Sequence, residues 1–462
     1  MVGIQFLGAA QSVTGSRYFL SIKGQRLLVD CGLFQGGKTL KQRNWEAFPV
    51  PPSSLDAVVL THAHIDHTGY LPRLVKEGFQ GPIYCTPATA DLLSLLLPDS
   101  GHLQERDAYF ANKKKYSRHD PALPLYTEQE ARQVLGHLQP VVYHEPKVLA
   151  EDLNFEYLHA GHILGSAMIR LNYTHGGRQK ILFFSGDLGR SGQPLIKDPE
   201  TIEGADFMLL ESTYGGRTHQ HVDVLSYLEE LVQQTVQAGG SLIIPAFAVG
   251  RSQRILYFLR ELEEARRIPV LPVFLDSPMA VSAVSMYCDN LDEHDFEMSQ
   301  LMAESCPLES GSIHLVKSVE ESKGLNEVKV PCVIVSASGN LAGGRILHHL
   351  KSRLSESRNT VLFVGYQPQG SLGRLIVEGM KEVKIHGRRV PVRAKIAVLD
   401  ALSAHADSSE ILEWVSHIKD PPQKIFLVHG ELESQEALKA QLERVISSEI
   451  LIPDYLDEFQ LE

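Results

Sequence analysis

Four potential metal ligands crowd one short stretch, His62-Ala63-His64-Ile65-Asp66-His67. On a strand end, side chains two apart point the same way, so His62 and His64 can grip one ion. Asp66 and His67 fall where the chain turns into a helix and can reach a second ion close by. A single histidine is ordinarily a hydrogen-bonded core or surface residue. Four ligand types packed this tightly would gather unpaired polar groups without gain unless a cation joins them. Two later stretches offer what a dinuclear site still lacks, Leu158-His159-Ala160-Gly161-His162 and Phe184-Ser185-Gly186-Asp187. Each ends a strand-like run, and the neighbouring glycine lets the backbone turn tightly beside an ion. Taken singly, His162 is ordinary and Asp187 reads as a turn aspartate; beside the first cluster they supply a histidine and a bridging carboxylate. His429, after an apolar run and before Gly430, completes the set. Imidazole and carboxylate ligands without thiolate suit Zn²⁺, with Mn²⁺ the weaker match.

The elements that must hold these residues follow from hydrophobic pattern. Residues 3–10, 17–22 and 26–29 read as strands, with a turn at Lys23-Gly24-Gln25 and a stop at Asp30-Cys31-Gly32. Residues 57–60 form a short apolar strand leading into Thr61 and the histidines, a rigid platform for a site. A helix is expected from near Asp66, where Leu71, Leu74 and Val75 recur at helical spacing. Residues 90–97 and 104–115 look helical, and Thr127 with Glu130 fits a capping box. Strands return at 155–158, 167–173, 180–185 and 207–210. After Glu211 strands (241–245, 270–275, 332–336, 359–365) alternate with helices (222–237, 252–262, 346–353), the pattern of a parallel α/β sheet. A basic segment at 384–393 precedes a strand at 395–399, a helix at 408–417 and a last strand at 424–428.

Composition sets the frame. With 462 residues two domains are expected, and 43 % hydrophobic with 22 % charged residues describes a folded, globular chain. No membrane-spanning run or export signal appears, and the five scattered cysteines (Cys31, Cys85, Cys288, Cys306, Cys332) read as buried thiols in a reducing cytoplasm. A net charge of −12 argues against broad, non-specific nucleic-acid binding, so any polyanion substrate needs local positive charge.

At this point the motifs carry a resemblance. His62–Gly69 resembles the signature of the metallo-β-lactamase superfamily, with Asp30, His162 and Asp187 similar to its other motifs. Glu211-Ser212-Thr213-Tyr214-Gly215, Ser403-Ala404-His405-Ala406-Asp407 and Val428-His429-Gly430-Glu431 resemble the three motifs of the β-CASP nucleases. Residues 245–254, 336–350 and 364–374 look like that family's inserted domain, and the nearest likeness is to the nuclease subunit of the cleavage and polyadenylation specificity factor and its prokaryotic relatives. Asn340 departs from the pattern, since many relatives carry methionine after the Ser-Gly pair. The resemblance implies an α/β chain: an αββα metallo-β-lactamase sandwich from residues 1–208 and 395–462, with an inserted α/β β-CASP domain at 209–394 closing over the metals.

It also implies roles. His62, His64 and His162 would hold one Zn²⁺, Asp66, His67 and His429 a second, with Asp187 bridging and Asp30 orienting a ligand. Asp66, His405 and Glu211 form the expected catalytic set, His405 as general acid and Glu211 as its orienting partner. The reaction would be hydrolysis of single-stranded RNA to 5′-phosphate and 3′-hydroxyl ends. Arg251, Ser338, Arg345 and Arg374 are expected to meet substrate, with Arg254, Arg388, Arg389 and Arg393 adding charge; singly, each arginine reads as a surface ion pair. Lys113-Lys114-Lys115 reads as a solvated helix face. Internal or 5′-processive cutting stays open, as does a homodimer. The rivals are a DNA nuclease of the same family, a small-molecule hydrolase, which has no use for the insertion, and a scaffold, which has no use for a full ligand set. His429 favours the RNA branch by analogy.

Overall fold

The computed structural model describes residues 2–117, 119–220, 222–309, 311–365 and 367–462. The chain divides into two compact units, one formed by Met1–Gly192, Asp198–Thr218 and His405–Glu462, the other by Gln193–Lys197 and His219–Ala404.

Among the described residues, the first unit contains two seven-stranded sheets. Val2–Phe6, Tyr18–Ile22 and Gln25–Val29 form an antiparallel meander. Its second hairpin turns on Lys23 and Gly24, at φ 51° and 84°, the left-handed pair that a two-residue loop between right-twisted strands requires. Ala57–Val59, Ile83–Cys85 and Leu138–Pro140 then add in parallel. In the other sheet, Leu153–His159 alternates buried and half-buried residues, so Leu153, Phe155 and Tyr157 face the core while Asn154 and Glu156 lean outward. Phe6, Leu20, Leu27 and Val59 of one sheet meet Phe155, Leu171, Phe184 and Phe426 of the other. Each such buried side chain contributes about 1.5–3 kcal/mol. On the outer face of the second sheet, Met168, Phe183 and Leu427 pack against Ile411 and Trp414 of helix Ser408–Ser416 and Leu438 of helix Leu432–Leu442. Helices Pro87–Lys114 and Glu128–Val134 accompany the first sheet, which completes an αββα sandwich.

This topology assembles the site. Arg178–Phe184, Phe207–Glu211 and Lys424–Val428 are adjacent parallel strands, with Phe184 beside Leu209 and Glu211 beside Val428. Their carboxyl ends lie side by side, where ligands of α/β sheets gather. Leu153–His159 runs the same way two strands over, so its end points to the same edge.

In the second unit, the order Ile313–Leu315, Val273–Leu275, Cys332–Ser336, Ser241–Pro245, Thr360–Phe363, Lys395–Val398 is parallel throughout. The central strands Ser241–Pro245 and Cys332–Ser336 are buried at every residue, as a sheet covered on both faces demands.

Four expectations change. Phe207–Glu211 belongs to the first unit's sheet, and Lys395–Val398 pairs with Thr360–Phe363 in the second, so the divisions fall after Thr218 and Ala404, not at 208 and 394. Strand pairing decides membership, and sequence pattern does not carry it. The two helices read at 90–97 and 104–115 are one, Pro87–Lys114, running through Pro98. Buried Leu92, Leu93 and Leu97 anchor one half, and Gly101 lets Thr127 and Glu128 approach where a Cβ would sit 2.7 Å from their backbone. The helix read from near Asp66 is two short ones, Ile65–Thr68 and Leu71–Lys76. Cys288 and Cys306 are joined in a disulfide at a Cα separation of 5.8 Å, so only Cys31, Cys85 and Cys332 fit the reading of buried free thiols. Among the described residues no helix is long and apolar enough to cross a membrane.

Candidate metal centre

The chain leaves strand Ala57–Val59 in extended form and places His62 at its end, fully buried. His64 caps the short helix Ile65–Thr68, which carries Asp66 and His67. Gly161 and Gly186 take φ 66° and 55°, the left-handed turns foreseen beside His162 and Asp187. His429 itself has φ 50°, a strained position for a residue with a side chain.

These segments converge on Asp187. Its Oδ2 lies 3.4 Å from His62 Nε2 and 3.4 Å from His162 Nε2. Its Oδ1 lies 3.2 Å from His67 Nε2 and 3.5 Å from His429 Nδ1. His64 Nδ1 stands 3.0 Å from His62 Nε2 and 3.2 Å from His162 Nε2. Asp66 Oδ2 stands 3.4 Å from His429 Nε2. The residues fall into two groups able to hold an ion, His62, His64, His162 and Asp187 on one side and Asp66, His67 and His429 on the other. The contacts themselves test the fit. Imidazole nitrogens face one another at hydrogen-bond distance, while Asp187 Oδ1 and His162 Nδ1, both buried, make no hydrogen bond. Each such orphan costs about 1–3 kcal/mol, a debt that a coordinated cation removes at Asp187. The donor set fits divalent transition metal.

Electrostatics leaves His62, His64, His162, Asp66 and Asp187 in ligand form, whereas at His67 burial is outweighed by the charges of Asp187 and Asp30, which raise the imidazole well above its ordinary value. Burial, with the charge of His67, holds the His62 imidazole down at about 3 against the pull of Asp187. Burial also lowers His64, and burial with His405 lowers His162. Burial pushes the Asp187 carboxyl upward, but His429 and His67 outweigh it and hold it well below the usual carboxylate range. Asp66 is likewise lowered, burial being outweighed by the hydrogen bond and charge of the nearby histidines.

Neighbours fix the ring orientations. Asp30 Oδ2 contacts His67 Nδ1 at 2.8 Å and also accepts from the Thr61 hydroxyl, while its Oδ1 accepts from the Thr61 N–H, so it stands directly behind the His67 ring. Thr61 Oγ1 lies 3.1 Å from His62 Nδ1, Ser16 Oγ 3.3 Å from His67 Nε2, and Thr213 Oγ1 3.1 Å from His429 Nδ1. Sequence reasoning passed over these three hydroxyls. Thr61 directly precedes the ligand run and Thr213 lies in a quoted motif, so position could have flagged them; Ser16 carries no local signal.

Beside the cluster, His405 Nδ1 meets Glu211 Oε1 at 3.1 Å and lies 3.9 Å from Asp187 Oδ2. Glu211 is fully buried and locked, one oxygen accepting from Leu188 N–H at 2.7 Å and the other from Thr213 N–H at 3.2 Å. Burial would lower the His405 imidazole, but the charges of Glu211 and Asp187 raise it to about 9.

The four residues expected to meet substrate lie in the second unit. Ser338 Oγ bridges the N–H and carbonyl of Gly343, closing a tight loop. Arg251 donates to the Val364 carbonyl, and Arg374 pairs with Glu378 one helical turn on, at 2.7 Å. Arg345 is heavily engaged. Its guanidinium binds Asp276 at 2.8 Å and the carbonyls of Val316 and Lys317, so it ties the unit together. The basic segment around residue 388 forms the hairpin Glu382–Ile385 and Arg388–Pro391, with Arg389 on Glu382.

Three family models match: the metallo-β-lactamase superfamily over residues 14–234, the β-CASP domain over 252–376, and the Zn-dependent metallo-hydrolase RNA specificity domain over 389–453. Ribonuclease TTHA0252 of Thermus thermophilus is 39 % identical over 433 residues, covering 93 % of this chain and 94 % of that protein. The chain belongs to the β-CASP family of the metallo-β-lactamase superfamily. Another similar protein, the transcription termination factor FttA of Methanosarcina mazei, is 31 % identical over 93 % of this chain and 67 % of its own length. A crystal structure of a protein of unknown function from Enterococcus faecalis shares the fold, with a TM-score of 0.56 and 13 % identity over 99 % of both chains. In this β-CASP chain the superfamily match spans all the cluster residues up to Glu211, whereas His405 and His429 fall within the RNA specificity match.

Proposed function

We propose that this chain is a metal-dependent ribonuclease that hydrolyses the phosphodiester backbone of single-stranded RNA in the cytoplasm, leaving 5′-phosphate and 3′-hydroxyl ends. The observation that carries the reading is Asp187, whose two oxygens face two separate ligand groups across one buried carboxylate. Family membership supports RNA over other phosphodiesters, because the similar Thermus protein is named a ribonuclease.

In this reading His62, His64 and His162 hold one Zn²⁺, Asp66, His67 and His429 hold another, and Asp187 bridges. Bound there, the two cations would supply Lewis-acid polarisation of the scissile phosphate and a water nucleophile near neutral pH. The chain's own residues do the rest. Asp66 and Asp187 place negative charge where the cations must sit, and Asp30, Thr61 and Thr213 keep the imidazole rings turned inward. Glu211 orients His405 through Nδ1, so the proton for the departing ribose oxygen is carried on Nε2. Among the second unit's residues, Arg251, Ser338, Arg345 and Arg374 are the proposed substrate contacts.

The test combines metal analysis with digestion of end-labelled single-stranded RNA, single-stranded DNA and a chromogenic β-lactam. The expected result is two zinc equivalents and cleavage of RNA alone, with the product ends named above. Metal-loaded protein that spares RNA, or that prefers DNA or the lactam, overturns the assignment.

A further inference from the structure

A second gathering of ligands lies in the first unit, away from Asp187. His144, His159 and Glu200 each offer one ligand atom, all within 4.8 Å of one another. His144 Nε2 stands 3.4 Å from Glu200 Oε1. Tetrahedral zinc with bonds of about 2.0–2.2 Å sets its ligand atoms roughly 3.3–3.6 Å apart, so this pair already has the span of two ligands on one ion.

The three side chains are unequal in freedom. His159 ends the strand Leu153–His159 and is buried, stacked on Tyr143 at a ring separation of 3.7 Å. Tyr143 is itself anchored, its hydroxyl donating to the Ser166 carbonyl at 3.2 Å. Glu200 is clamped along its backbone: its N–H donates to the His159 carbonyl at 3.0 Å, and Trp414 Nε1 donates to its carbonyl at 2.8 Å. Its Oε1 also accepts the His159 N–H at 2.8 Å. His144 is the exposed arm, its side chain 56 % accessible and its backbone N–H donating to the Tyr157 carbonyl at 3.0 Å. The His144 and His159 rings stand 6.1 Å apart, against 4.8–5.2 Å among His62, His64 and His162. A small turn of the exposed ring closes that difference.

We propose that His144, His159 and Glu200 form a further transition-metal site that takes Zn²⁺, with water in the fourth position. A surface His–Glu pair alone is worth only about 0–1 kcal/mol. It would not call for a second, buried imidazole held against the same carboxylate. Two imidazoles and one carboxylate select zinc over Mg²⁺ or Ca²⁺, which seek oxygen ligands. The site also has a structural consequence. A Cβ on Gly161 would lie 2.6 Å from Pro199, so the segment carrying Glu200 packs directly on the turn that presents His162. An ion joining His159 to Glu200 pins that turn from outside and steadies His162.

The test is a difference in stoichiometry, so it does not depend on the RNA-cleaving reading or on the number of ions at Asp187. Full-length protein, His144→Ala and Glu200→Gln are titrated with Zn²⁺ against a chromophoric chelator. Both variants should bind one equivalent fewer than the parent, and His144→Ala should lose part of the rise in thermal midpoint that zinc gives the parent. Zinc-edge anomalous diffraction should place a peak among the three side chains. Equal stoichiometry in parent and variants, or a lost equivalent that binds only at millimolar zinc, overturns the site.

Discussion

Asp187 in the first unit and Asp276 in the second are both carboxylates taken out of water and set against histidine, yet their surroundings differ in kind. Asp276 receives His349 Nε2 at 2.6 Å, the Ser322 hydroxyl at 2.7 Å and Arg345 at 2.8 Å. Hydroxyl, guanidinium and imidazole satisfy its lone pairs, and Arg345 balances its charge, so the group is closed. Asp187 has only imidazole nitrogens for neighbours at 3.2–3.5 Å, and one of its oxygens makes no hydrogen bond. A buried carboxylate supplied with donors is a structural tie; one supplied with other ligands waits for a cation.

Breaking Asp187 should therefore have the largest effect. Asp187→Ala removes the shared ligand, and metal analysis should show loss of zinc with RNA cleavage down by roughly 10⁴-fold or more. A variant that keeps its zinc and its rate would place Asp187 with Asp276. His405→Ala comes next, with both cations retained and turnover lowered about 10²–10⁴-fold as the leaving group loses its proton donor; an unchanged rate removes the general acid from the scheme. Asp276→Ala belongs on the other side of the comparison. It should leave zinc content untouched and cost about 3–5 kcal/mol in chemical denaturation, since Arg345 is left without its partner.

That tie also has a pH signature. Burial pushes the Asp276 carboxyl up, but hydrogen bonds from His349, Ser322 and Arg345 outweigh it and hold it below its ordinary value. Its stabilisation is thus fully present above the ordinary carboxylate range, about pH 4, and drains away as pH falls through the lowered folded value. The gap in unfolding free energy between parent and Asp276→Asn should shrink on acidification; a gap that widens contradicts the account. Thr213→Val is the smallest change. Removing the hydroxyl 3.1 Å from His429 Nδ1 should weaken zinc binding about 10–100-fold by competition with a chelator, with the fold intact.

The cluster was legible before the structure because its chemistry is local: His62 to His67 announce themselves by type and spacing, and Gly161 and Gly186 mark where the backbone must turn. The capping box at Thr127 and Glu130 was legible for the same reason. What stayed hidden was every contact made across the chain. Ser16 reaches His67 over 51 residues, and Arg345 reaches Asp276 over 69, with nothing in either neighbourhood to announce the partner. The same holds for the joined pair Cys288 and Cys306, and for the strand Lys395–Val398, whose sequence suits either unit and whose hydrogen bonds alone assign it.

Glu211 and Val428 are hydrogen-bonded neighbours in one sheet, although the chain threads His219–Ala404 between them. As the polypeptide leaves the ribosome, His62, His64, Asp66, His67, His162 and Asp187 are made early, while His405 and His429 follow only after the second unit has been synthesised. A nascent chain can gather all of the cluster but His429, and it still lacks His405. The constellation is therefore complete only when translation is nearly over.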